Sequence, residues 1–201
     1  DTTFFNKIAP ILIGYISFFF VFLISGIALL KERTSGTLDR LLATPVKRSE
    51  IIFGYTISYG FLAIIQTIVI TLSAIYLLKI EVAGSLVYVI IVNMLLALGA
   101  LALGMLLSTA AKSEFQVMQF IPLVIIPQMF FSGIVPVENM GKVAVYISKV
   151  LPVTYSGDGL SKIILEGKTL LDIKGDIIIL TIFFVVLITL NIIGLKRYRK
   201  V

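Results

Sequence analysis

Ile8-Ala9-Pro10-Ile11-Leu12-Ile13-Gly14-Tyr15-Ile16-Ser17-Phe18-Phe19-Phe20-Val21-Phe22-Leu23-Ile24-Ser25-Gly26-Ile27-Ala28-Leu29-Leu30 decides the fold, because it contains no Asp, Glu, Lys or Arg. A hydrocarbon core about 30 Å thick takes about 20 apolar residues to cross as a helix. The run is therefore a membrane span, and the chain repeats it. Residues 51–78 and 86–111 form two further uncharged runs. Residues 117–135 form a shorter one broken by Pro122 and Pro127, and 177–195 a fifth that closes on Lys196-Arg197-Tyr198-Arg199-Lys200. Ala97, Ala100 and Gly104 lay a small-residue track along the third run, which lets a neighbouring helix approach closely. Backbone groups in lipid must be paired within the protein, so helices are expected; the alternation is too weak for a barrel.

Composition agrees. Of 201 residues, 59% are apolar and 14% charged, with a mean hydropathy of +1.09. A soluble domain carries about 45–50% apolar and about 25% charged residues. A water-facing globule, a disordered chain and a basic nucleic-acid tail are thereby disfavoured, and the net charge of +6 points to a membrane instead, with no nucleic-acid partner. Histidine and cysteine are absent, which removes metal centres built on them, Ser-His and Cys-His nucleophile pairs, and disulfides. No metal and no catalytic residue is expected.

The spans also lack charge. A proton-coupled carrier generally needs an intramembrane carboxylate or histidine. Gln66, Asn93 and Asn191 are neutral and suit either hydrogen bonds between helices or Na⁺ coordination through oxygen. Gly167-Lys168-Thr169 imitates the end of a phosphate-binding loop, but Lys162 stands where the earlier glycine belongs. Gly157-Asp158-Gly159 lacks the third glycine of a dinucleotide fingerprint. The expectation is that this chain binds no cofactor and draws its energy from a separate partner.

Orientation follows from Lys and Arg in the connecting segments. Ten fall on the side that includes Lys31, Arg33, Arg40, Lys47, Arg48, Lys112 and the C-terminal cluster; seven fall on the other, five of them in the long stretch 136–176. The first side is expected to be cytoplasmic, with the start of the chain outside and its end inside. An N-out start implies at least one span upstream of Asp1.

The first cytoplasmic segment runs Lys31-Glu32-Arg33-Thr34-Ser35-Gly36-Thr37-Leu38-Asp39-Arg40-Leu41-Leu42-Ala43-Thr44-Pro45. Thr34 or Ser35 is expected to cap a short helix with Leu38, Leu41 and Leu42 on one face, and Pro45 to hold Thr44 out of it. Such a helix is either an interfacial connector or a docking element that presents Asp39 and Arg40 to a cytosolic partner. Ser49, followed by Glu50, is the expected cap of the next span.

Outside, Met140, Val143, Ala144, Ile147, Val150 and Leu151 recur at helical spacing up to Pro152. Leu160, Ile163 and Ile164 form a second short run after Gly157-Asp158-Gly159. Both runs are expected to lie in or dip into the outer leaflet, or to cap the bundle. The fourth span carries Gln116, Gln119 and Gln128, with Ser132 and Gly133 at its end. Amides and two prolines are costly against lipid, so this helix is expected to face a substrate path, a second subunit or its own bundle.

The segment 32–45, Gly54-Tyr55, Glu114-Phe115-Gln116, Gln119-Phe120-Ile121-Pro122, Phe131-Ser132-Gly133-Ile134-Val135-Pro136 and Leu151-Pro152-Val153-Thr154-Tyr155 together resemble the membrane domain of type-2 ATP-binding-cassette (ABC) exporters. The likeness runs through nearly the whole chain in the right order. It implies a six-helix permease that pairs with a second permease subunit, as a homo- or heterodimer, and with ABC ATPase subunits that hold ATP and Mg. Residues 34–44 would be the coupling helix, with Glu32 at its start and Lys112–Gln116 as a second cytoplasmic contact.

The fold expected is thus an all-α, polytopic bundle of five transmembrane helices within one membrane domain, 1–201. A cytoplasmic coupling helix and external re-entrant or interfacial helices at about 137–165 complete it; the family's first helix and any external domain are missing. Glu32, Arg33, Gly36, Thr37, Leu38, Asp39, Arg40, Leu41, Leu42, Pro45 and Glu114 are the expected ATPase-coupling residues. Gln119, Pro122, Pro127, Gln128, Ser132 and Gly133 are expected in the substrate path or a subunit contact. The function expected is export of a hydrophobic or amphipathic drug, antibiotic or lipid across the plasma membrane. The rival is a membrane scaffold that recruits a cytosolic partner without transporting; an intramembrane enzyme is disfavoured.

Overall fold

The structure is a computed structural model that describes residues 2–111, 113–134 and 137–198. Lys112, Val135, Pro136 and the tail from Arg199 lie outside the described residues. The described chain is helical throughout, with no strand among those residues.

Helix α1, Thr2–Thr34, carries the deciding run, and its 33 residues reach about 50 Å at 1.5 Å each. It is longer than the hydrocarbon core is thick, so one end of it must extend beyond a membrane it crosses. Helices α2, Thr37–Leu42, and α3, Arg48–Leu78, follow. Helix α4, Leu86–Ala110, is the central post, packed by α1, α3 and later by α7 and α8. Helix α5, Glu114–Phe130, is continuous through Pro122 and Pro127 but has only 17 residues. At about 25 Å it is the one apolar run shorter than the core. Helices α1, α3, α4 and α8, Lys174–Gly194, are long and apolar enough to cross.

The small-residue track works as expected. Gly104 of α4 lies directly on the backbone of α1 at Phe22 and Gly26 and on the Ser25 hydroxyl. Farther from the α2 end, Asn93 gives both amide hydrogens away, to Ser17 Oγ of α1 at 2.9 Å and Thr71 Oγ1 of α3 at 2.8 Å. All three side chains are fully buried, so one amide fastens three spans. Asn191 likewise donates to Ala102 O, 2.8 Å away, and ties α8 to α4. Hydrogen bonds between spans average roughly 0.6 kcal/mol, because the separated helices also find partners in the membrane. Asn93→Val is therefore expected to cost only about 1 kcal/mol, seen as a small drop in the thermal midpoint of the detergent-solubilised protein. A collapse of the fold would show the junction to be worth far more.

Between α5 and α8 lie a 3-10 turn, Val137–Met140, helix α6, Lys142–Ser148, and helix α7, Pro152–Glu166. Here two expectations are corrected. The second external run does not begin after Gly157-Asp158-Gly159; α7 starts at Pro152 and passes through both glycines. The intrinsic penalty of glycine in a helix, about 1 kcal/mol each, is outweighed by packing. Without a Cβ at Gly157, the Ser132 carbonyl and Ile11 come up against the helix. Nor is α7 a surface cap: Val153, Leu160, Ile163 and Ile164 are fully buried among α1, α4 and α8. Apolar residues left outward include Val143 and Tyr146 of α6, Val150 beside it and Leu165 near the end of α7.

Candidate functional site: the α2 end of the bundle

One end of the bundle, the side expected to be cytoplasmic, is built from the last turn of α1, the short α2 and the end of α4. Neither Thr34 nor Ser35 caps α2. Thr34 is still part of α1, and Gly36 stands at the boundary with φ 75°, a left-handed conformation that glycine adopts without strain. That one residue reverses the chain out of α1. The cap of α3 is also not Ser49. Its helix begins one residue earlier, and the Glu50 carboxylate accepts the Lys47 backbone N–H at 2.8 Å.

The leucine face falls where the periodicity put it. Leu38 and Leu42 are buried, Leu41 is half-buried, and Thr37, Asp39, Arg40 and Pro45 are exposed. Six residues are far too few for a helix to persist alone. Burial of its leucines against the end of α1 holds α2 in place, and its polar side is left free.

Arg33 makes the longest-range contact of the site. Its guanidinium donates from Nη2 to Ala111 O at 2.8 Å and from Nη1 to Ser108 O. Both carbonyls belong to the end of α4, where helix carbonyls lack intrahelical partners and a cation is favoured. The chain entering α2 is thus clamped to the central post. Glu32 is half-buried beside Tyr55 and Tyr59 of α3, whose rings stack at 5.6 Å. Glu114 stands exposed in the first turn of α5, three residues beyond the clamp, behind Ser113, whose Oγ accepts the Gln116 N–H at 3.3 Å.

The second group of expected residues is divided. Gln128 and Ser132 are buried. Gln128 Oε1 accepts the Val153 N–H at 3.3 Å, and the neighbouring Phe131 O accepts from Thr154 Oγ1 at 2.8 Å. They fasten α5 to the start of α7. Gln119 and Pro122 are exposed on the outer flank of α5, Pro127 is half-buried and Gly133 sits in the turn with φ 96°. Gln119 and Pro122 therefore share no surface with Gln128.

Sequence reasoning missed the partners of Arg33, since backbone carbonyls 75 and 78 residues away leave no residue-type signature. It also missed an ionic group at the end of the bundle opposite α2, Asp158, Lys162 and Asp176. Of this group only the i, i+4 spacing of Asp158 and Lys162 was open to sequence reading.

A bundle with four helices long and apolar enough to cross a membrane, and a small leucine-backed helix at one face, defines the class of multi-pass membrane proteins. The chain belongs to the ABC-2 type transporter family, which residues 1–165 match. It is 29% identical over 168 residues to "ABC transporter G family member 20" of Dictyostelium discoideum, covering 83% of this chain and 23% of that one. It is 24% identical over 177 residues to "Probable multidrug ABC transporter permease YbhS" of Escherichia coli K12, covering 87% and 47%. To "Linearmycin resistance permease protein LnrN" of Bacillus subtilis it is 28% identical over 148 residues, covering 73% and 38%. The chain spans less than half the length of these curated relatives. No solved structure matches it.

Proposed function

We propose that the chain is the permease part of an ATP-driven exporter of hydrophobic or amphipathic molecules, with ATP and Mg held by a separate ATPase. The observation that carries this reading is α2: its leucines are buried, Asp39 and Arg40 point away, and Arg33 anchors its base to α4. A pushed helix needs such a backing. Relatives named as multidrug and linearmycin resistance permeases support a small-molecule cargo. The cytoplasmic face is the one bearing α2, which leaves the start of the chain outside. A second permease subunit would cover the outer flank of α5, where Phe115, Met118, Ile126 and Met129 are exposed.

The test is charge reversal on the exposed side of α2 in the intact transporter. Asp39→Lys with Arg40→Glu is expected to leave the permease folded, since neither side chain is buried. It should abolish co-purification of the ATPase and, with it, substrate efflux. Normal efflux by the double variant would overturn the docking role. Loss of ATPase recruitment from a wild-type complex that moves no substrate would favour the scaffold instead.

A further inference from the structure

The end of the bundle opposite α2 carries an open cavity of about 480 Å³. It is walled by Ile11 of α1, the Ser132–Gly133 turn, the outer side of α7 and Asp176 of α8. Its size is within the range of ligand pockets, roughly 300–1,000 Å³. The lining is chemically one-sided. Asp158 and Asp176 contribute two carboxylates, and no lysine or arginine lines the space. Four hydroxyls also line it, those of Ser132, Thr154, Tyr155 and Ser161. Three have their protons committed to backbone carbonyls: Ser132 Oγ donates to Met129 O at 2.8 Å, Thr154 Oγ1 to Phe131 O at 2.8 Å, and Tyr155 OH to Lys149 O at 2.7 Å. Those three oxygens therefore offer lone pairs only.

Lys162 bonds to Asp158 and stands 3.6 Å from Asp176 Oδ2, but it is not part of the lining. Its hydrogen bond to Asp158 holds the ammonium above its ordinary range, so it stays charged at neutral pH. One lysine then serves two carboxylates, leaving one negative charge in surplus beside an acceptor-rich wall. Asp176 is largely buried, and burying a carboxylate is costly unless a cation attends it. A fastener between α7 and α8 would need one carboxylate, not two.

We propose that this cavity binds the organic-cation head of an amphipathic molecule, with Asp158 and Asp176 facing the charge and Ile11 facing the apolar part. The inference rests on the exporter reading and names the chemical class of its cargo.

The full-length permease with its ATPase, in nanodiscs, is titrated with rhodamine 6G, a lipophilic monocation, and with Nile red, which is neutral. Asp158→Asn and Asp176→Asn are each expected to weaken rhodamine 6G about tenfold, and Lys162→Gln to strengthen it several-fold, on Coulombic grounds. Nile red should not respond. If Lys162→Gln weakens rhodamine 6G along with the aspartate variants, or Nile red follows it, the group is only structural and the proposal falls. It falls equally if wild-type protein does not bind rhodamine 6G. Should Asp176→Asn fail to fold, Asp158→Asn and Lys162→Gln, both at partly exposed positions, carry the test with opposite signs. ATP-driven efflux in proteoliposomes separates the two readings. Efflux with charge-indifferent binding removes the cation site alone, whereas wild-type complexes that export neither dye nor any other amphipath remove the exporter.

Discussion

Gly104→Ala is expected to prevent folded protein from accumulating, while Gly26→Ala, on the opposite side of the same helix crossing, is expected to be tolerated. A Cβ at Gly104 would fall on Ser25 Oγ and within 2.5 Å of Phe22 O. The serine can rotate away, but the carbonyl is part of the α1 backbone and can retreat only if the helices separate. A Cβ at Gly26 would meet Gly104 O at 3.6 Å, an ordinary contact. Helix propensity alone favours alanine over glycine by about 1 kcal/mol at both sites, so the two substitutions should differ in sign. Overpacking costs roughly 1–3 kcal/mol in a core that can adjust, and more where the obstacle is main chain. Spans associate through close packing rather than hydrophobic transfer, so a wedge here removes what joins α1 to α4. Monodisperse elution and thermal midpoint in detergent check both variants. Equal behaviour of the two would show that the crossing is looser than drawn.

That crossing also shows what the sequence made legible. A stripe of Ala97, Ala100 and Gly104 on an uncharged run announces a helix neighbour because only small side chains permit one. It does not say which helix, since α1 and α4 are joined across 78 residues of chain. The leucine face of α2 was likewise readable from spacing, and Pro45 marked its limit. The caps were not, because Gly36 satisfies a left-handed turn with no side chain and Glu50 reaches backward to Lys47. Helix α7 was misjudged for a related reason. Local propensity reads Gly157-Asp158-Gly159 as an interruption, whereas the approach of Ser132 and Ile11 makes Gly157 the place where helix packs on turn, and Gly159 faces Val92, Ile173 and Asp176. In the fourth span, polarity correctly placed Gln128 against protein, yet Gln119 of similar chemistry is exposed. One buried face on a 17-residue helix cannot accommodate every amide.

Arg33→Met is expected to separate ATP hydrolysis from transport. The substitution keeps an unbranched apolar stem and removes the guanidinium that holds Ser108 O and Ala111 O. Hydrogen bonds to a charged donor contribute roughly 1.5–3 kcal/mol, so some loss of thermal stability will accompany it. That loss is shared across a bundle in which Arg33 is only partly buried, and the protein should still fold. What it cannot keep is the rigid link. With α2 backed by its leucines alone, displacement of α2 by an ATPase would be absorbed at the Gly36 turn instead of reaching α4, around which α1, α3, α7 and α8 are packed. Efflux is then expected to fall at least tenfold, about 1.4 kcal/mol of coupling, while ATP hydrolysis continues. Arg33→Lys should rescue only in part. Its single ammonium can reach one carbonyl, whereas the planar fork of arginine spans two that lie three residues apart at the helix end. Efflux and hydrolysis measured side by side on reconstituted complexes decide it. A proportional fall in both would place Arg33 in ATPase binding, and unchanged efflux would show that motion reaches α4 by another route.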